Sequence, residues 1–116
     1  MEAGFIPHAP GGPEPLNADS FDDEVLSGET SALVEFWAAR CSGCRRLAAD
    51  LAHLSRTRSV RAFTLNVDEE LDAALRHGVN TAPTVILFNG GAERGRLVGV
   101  PTRAELCAFL DAHGVE

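Results

Sequence analysis

The sequence contains no lysine: its ten basic residues are all arginine, and seventeen acids leave a formal net charge of −7 over 116 residues. Nucleic-acid binding needs a basic surface to neutralise phosphate, so this balance argues against it. No apolar run approaches the roughly 20 residues that span a bilayer, so no membrane association is expected. Met1–Pro7 has no basic region leading into an apolar one; it does not read as a signal peptide, which points to the cytoplasm. Cysteine is scarce, with only Cys41, Cys44 and Cys107. In that compartment a Cys-X-X-Cys pair is more often catalytic or metal-binding than a structural disulfide.

The length and the 45% hydrophobic content suit one globular domain. Residues 1–14 hold Pro7, Pro10 and Pro13 with three glycines and read as a flexible tail, leaving 15–116 as the domain. Charge is unevenly distributed. Residues 1–39 carry eight acids and no arginine, whereas 40–62 carry six arginines and one acid, Asp50. A basic segment in an acidic protein suits selection of a partner, and suits a solvated helix face equally well.

That basic segment holds the cysteine pair. Ala32–Trp37 is almost wholly apolar, as expected of a strand covered on both faces. Leu47, Leu51 and Leu54 then recur at helical spacing. Cys41 is therefore expected near a helix N-terminus, with Cys44 about one turn further in. Unpaired N–H groups at a helix start favour a thiolate, as do nearby cations such as Arg40, Arg45 and Arg46. Cys41 is the expected attacking thiol and Cys44 the resolving one. Two other readings remain: half of a zinc site, although Cys107, His8, His53, His77 and His113 form no second ligand pair, or two small core residues.

Elsewhere, a short edge strand is expected at Pro15–Asn17 and a helix capped by Asp19 or Ser20, running to Leu26 and ended by Gly28. Val60–Val67 reads as a strand. Asp68 would cap a short helix with Leu71, Ala74 and Leu75 inward, closed by Gly78. Thr84–Phe88, Asn89-Gly90-Gly91 and Gly95–Gly99 read as a hairpin. Thr102 and Glu105 form a capping box for a last helix with Leu106, Phe109 and Leu110 inward, ended by Gly114. Cys107 would be a small buried hydrophobe, and His53, His77 and His113 surface groups. The element order predicts an α/β fold: a parallel unit followed by a hairpin and a helix.

Glu35-Phe36-Trp37-Ala38-Ala39-Arg40-Cys41-Ser42-Gly43-Cys44 resembles the redox motif of the thioredoxin family, an acid, Phe-Trp-Ala and then Trp-Cys-Gly-Pro-Cys. The resemblance continues through Leu65-Asn66-Val67-Asp68, Ala82-Pro83-Thr84 and Val98-Gly99-Val100, and covers about residues 16–113. It implies a thioredoxin fold, a central mixed sheet of four to five strands flanked by helices on both faces, and thiol-disulfide exchange with protein disulfides. Cofactors would be absent apart from the Cys41–Cys44 pair, a disulfide reductase would be the electron donor, and the protein would be a monomer. Pro83 would be a cis-proline facing the cysteines; a trans turn proline is its ordinary alternative. Trp37, Arg40, Ala82, Pro83, Gly99 and Val100 would form the substrate groove, although Trp37 also suits plain core. Glu35 would help move the proton of Cys44, unless it lies at a wet edge.

The chain departs from the family pattern. Arg40 replaces tryptophan, Ser42-Gly43 replaces Gly-Pro, Ala49 replaces a helix-kinking proline, Thr64 replaces a lysine partner of the buried acid, and Ala82 replaces a larger residue. A more flexible turn implies a less reducing pair. The departures also support an alternative of another class, an adaptor or chaperone using the same groove with vestigial redox activity. An oxidase or isomerase poise is a third possibility.

Overall fold

A computed structural model describes residues 12–27 and 30–116. The proposed tail therefore lies mostly outside the described residues, as does the helix stop expected at Gly28. Five strands form one sheet: β1 (Glu14–Leu16), β2 (Ala32–Trp37), β3 (Arg61–Asn66), β4 (Thr84–Asn89) and β5 (Ala92–Val98). Their order is β1-β3-β2-β4-β5, so β2 lies at the centre. It pairs parallel with β3 and antiparallel with β4, while β1 is parallel to β3 and β5 antiparallel to β4. A central strand has no wet edge, which explains why all six residues of β2 are buried.

Strand alternation divides the core between two faces. Val34, Phe36, Phe63, Leu65, Ile86 and Phe88 pack on one side with Phe21, Val25 and Ala74. Leu33, Ala62, Val85 and Leu87 pack on the other with Leu47, Leu51, Leu54, Leu106 and Leu110. The leucines at helical spacing thus bury the inner stripe of α2 (Cys44–Thr57), each side chain contributing about 1.5–3 kcal/mol. The last helix, α4 (Arg103–Ala112), lies on the same face and opens with the expected capping box, Glu105 N–H to the Thr102 hydroxyl at 3.1 Å and Thr102 N–H to Glu105 Oε1 at 2.8 Å. Gly90 and Gly91, both at positive φ, turn β4 into β5, and β5 begins earlier than the sequence suggests.

Several local expectations are corrected. Asn17, not Asp19 or Ser20, caps α1 (Ala18–Phe21); its side chain accepts from Ser20 N–H at 2.9 Å. The chain then continues through a π-type turn over Asp22–Leu26. Strand β1 already includes Glu14, inside the proposed tail. Helix α3 (Leu71–Arg76) follows Glu70 rather than an Asp68 cap. Its inner face is Ala73 and Ala74, while Leu71 and Leu75 are 58% and 62% exposed. Ala74 is thus inward as expected, but Ala73 rather than the two leucines shares that side, because in so short a helix the alanines packed in the core set which side faces it. His77 caps the end of α3 and is not a surface group: its ring lies among Phe21, Phe36 and Phe88, with centroids 4.9, 6.2 and 5.5 Å away. Cys107 and Phe109 are only half-buried.

Candidate functional site

The site forms at the C-terminal end of β2. Beyond Trp37 the chain turns, with Cys41 N–H donating to the Ala38 carbonyl at 3.1 Å. Gly43 is the N-cap and Cys44 the first residue of α2, so the second cysteine lies at the helix start rather than a turn inside it. Cys41 and Cys44 are joined as a disulfide with Cα atoms 5.5 Å apart. The pair is asymmetric: Cys41 is half-exposed, whereas Cys44 is fully buried. Only the first sulfur is placed to meet a partner, and the second is shielded behind it. The first turn of α2 carries no acid to offset its N-terminal field.

Of the expected groove residues, Pro83 follows a cis Ala82–Pro83 bond, and its carbonyl accepts from Gly99 N–H at 2.9 Å. Val100, the next residue, lies over Gly43: a Cβ built on Gly43 would be 2.6 Å from Val100 Cγ2. A continuous chain of contacts thus runs from Pro83 through Gly99 and Val100 to the redox turn. Val98 and Val100 are 64% and 40% exposed, unusual for valine. Arg40 is exposed beside Cys41 and Ala82 is half-buried. Trp37 is buried, with 8% of its surface exposed.

Glu35 shares the alternation of Leu33 and therefore the α2 face of the sheet. It is 0% exposed, which rules out the wet-edge alternative, and neither carboxylate oxygen has a hydrogen-bond partner. Burial pushes its pKa up from 4.5 to about 9, so the carboxyl is neutral at pH 7. Thr64, its register partner on β3, is equally buried and its hydroxyl is also unpartnered.

Three of the segment's six arginines have acidic partners of their own. Arg46, expected to favour a thiolate, instead donates to Asp50 Oδ2 at 3.0 Å and to the Pro101 carbonyl at 3.2 Å. Arg58 and Arg61 pair with Asp111 and Glu24, away from the cysteines. Sequence reasoning missed the contribution of Arg103, whose guanidinium reaches Asp50 Oδ1 at 3.0 and 3.1 Å. Nothing in the local spacing links residues 53 positions apart. Among the described residues no three or more of His, Cys, Asp and Glu are grouped to hold a metal ion, and no helix is long and apolar enough to cross a membrane.

Comparison with known proteins agrees with this geometry. The thioredoxin family model matches residues 12–112. A thioredoxin of Pseudomonas aeruginosa is 34% identical over 96 residues, covering 81% of this chain and 89% of its own. The M-type chloroplastic thioredoxin of Pisum sativum is 32% identical over 100 residues; the match takes in 84% of this chain but only 58% of the pea protein. A solved structure of a mutant thioredoxin from Halobacterium salinarum NRC-1 superposes with a TM-score of 0.80 over 97% of this chain and 95% of that one; at 24% identity it bears on the fold alone. With a family match across most of its length and a cysteine pair at the start of α2, the chain belongs to the thioredoxin family of disulfide oxidoreductases.

Proposed function

We propose that the protein exchanges its Cys41–Cys44 pair with disulfides of protein substrates. The observation that carries this reading is the asymmetric pair, a half-exposed Cys41 bonded to a buried Cys44 at the start of α2. In the dithiol form the Cys41 thiolate attacks one sulfur of a substrate disulfide. A Cys41–substrate bond forms, and the other substrate sulfur leaves as a thiolate and takes a proton. The Cys44 thiolate then attacks Cys41 Sγ, closing the Cys41–Cys44 disulfide and expelling the second substrate thiolate. The substrate gains two electrons from the protein, and its two thiolates take their protons from water, which also receives the proton of Cys41.

Glu35 is the proton carrier for Cys44 in this scheme. As a neutral acid in the disulfide form it supplies a proton when the pair is reduced, and its carboxylate takes the proton back when Cys44 resolves. The substrate chain would lie along Ala82, Pro83, Gly99 and Val100, beside Arg40 and the exposed edge of Trp37. We place the protein in the cytoplasm as a monomer without metal or organic cofactor. A disulfide reductase returns electrons to it there, a role in cellular redox homeostasis.

A Cys44→Ser variant tests the reading. It should accumulate mixed disulfides through Cys41 that reductant releases, while a Cys41→Ser variant should accumulate none. Equal absence of adducts in both variants would favour the adaptor alternative, in which partners bind the groove without exchange.

A further inference from the structure

The wall segment Gly99–Pro101 is held in an unusual way. On one side Val100 covers Gly43 of the redox turn. Behind it lies a cleft of about 470 Å³, lined by Leu97, Val98, Val100, Pro101, Glu105, Ala108 and Phe109. Val100 itself is 40% exposed, whereas Pro101 is buried. Gly99 has a φ of +100°, a conformation that favours glycine, and it brings no side chain to anchor the segment. Two polar contacts remain: Gly99 N–H to the Pro83 carbonyl at 2.9 Å, and Arg46 to the Pro101 carbonyl at 3.2 Å.

The second contact depends on Asp50. This buried carboxylate fixes Arg46 through Oδ2 at 3.0 Å and Arg103, in the first turn of α4, through Oδ1 at 3.0 and 3.1 Å. One acid thus ties the redox helix to the C-terminal side of the stretch carrying Val100: to Pro101 through Arg46, and to the helix that follows through Arg103. Asp50 is buried while Arg46 and Arg103 keep part of their side chains in solvent, so the acid is the shared anchor of the cluster.

Building on the exchange reaction proposed above, we infer that Asp50 is a positioning residue, which through Arg46 and Arg103 holds the Gly99–Pro101 wall against the redox turn and so selects protein disulfides over small ones. A protein substrate must lay its chain along that wall. A small disulfide needs only the exposed sulfur of Cys41.

The test uses the whole chain and an Asp50→Asn variant, with Arg103→Gln as a second variant that leaves the α2 half of the clamp intact. Amide hydrogen exchange in the oxidised protein should rise at Gly99 and Val100 by about tenfold while the β2 and β4 amides stay protected. KM for insulin disulfides should rise about tenfold with kcat little changed, while kcat/KM for a small aromatic disulfide and the redox midpoint hold within about twofold. Unchanged exchange at Gly99 and Val100 overturns the clamp. Raised exchange with wild-type insulin kinetics, or equal losses on both substrates, overturns its role in substrate choice. If the unaltered protein fails to reduce insulin, the proposed function falls, and the exchange data still decide whether Asp50 positions the wall.

Discussion

Glu35 on β2 and Thr64 on β3 are register partners across a parallel ladder, both fully buried, and no described residue completes the hydrogen bonding of either side chain. The polar pair lies on the face of the sheet that α2 covers, beneath the helix that Cys44 begins. A threonine hydroxyl cannot offset the charge of a carboxylate as a cation would, so desolvation sets the state of Glu35.

This has a definite consequence for stability. The folded-state pKa of Glu35, about 9, lies above its ordinary 4.5, so the native state keeps a proton that the unfolded chain releases. Stability from this group is greatest below pH 4.5 and is lost as pH rises toward 9. At pH 7 the loss amounts to roughly 3 kcal/mol. Glu35→Gln removes the titration. It should raise the urea midpoint at pH 8, change it little at pH 4.5, and flatten the profile between.

His77 acts in the opposite direction at lower pH. Burial holds its pKa below the usual 6.5, and Arg76 adds to this; Glu93 pulls the other way, with Arg96 and Asp22 smaller still. The native state favours the neutral ring, so its contribution is complete above pH 6.5 and is lost as pH falls below it. His77→Phe keeps an aromatic ring among Phe21, Phe36 and Phe88 and abandons a ring nitrogen that has no partner. Denaturant unfolding at pH 5 and pH 7.5 should show the variant losing less stability on acidification than the parent.

Much of the architecture was legible because each element obeyed one dominant signal. The apolar run of β2, the leucine spacing of α2 and the capping box of α4 all point the same way as the packing. In α3 Ala74 is inward as its spacing suggests, but Leu71 and Leu75 are not, because Ala73 shares the buried side of so short a helix. His77 was misread for a related reason: a lone histidine at a helix end carries no sequence sign of the three phenylalanines that surround it. At the site, the more exposed position of Cys41, the burial of Glu35 and the cis-proline were readable from the motifs that resemble the family's. The Arg46–Asp50–Arg103 cluster was not, since it joins α2 to α4 across the fold.

The glycine in the redox turn has a second reason to be there. The sequence suggested only a flexible turn, yet Gly43 also makes room for Val100. Gly43→Ala at its φ of −102° would ordinarily stabilise by about 0.4–1 kcal/mol through the unfolded chain. The 2.6 Å approach to Val100 Cγ2 should reverse that sign. In a Val100→Ala background the gain should return, and a double-mutant cycle should give a coupling of about 1 kcal/mol. No coupling would mean that Val100 moves aside freely.

The most direct test of the account is a redox titration of the purified protein against glutathione buffers, followed by Trp37 fluorescence and checked by thiol counting. The account predicts one reversible two-electron transition in which Cys41 and Cys44 titrate together. Because Gly43 leaves the turn less preorganised, the midpoint should be less reducing than the roughly −270 mV of a thioredoxin. A Cys41–Cys44 pair that forms no reversible disulfide, or thiols that titrate independently, would contradict it.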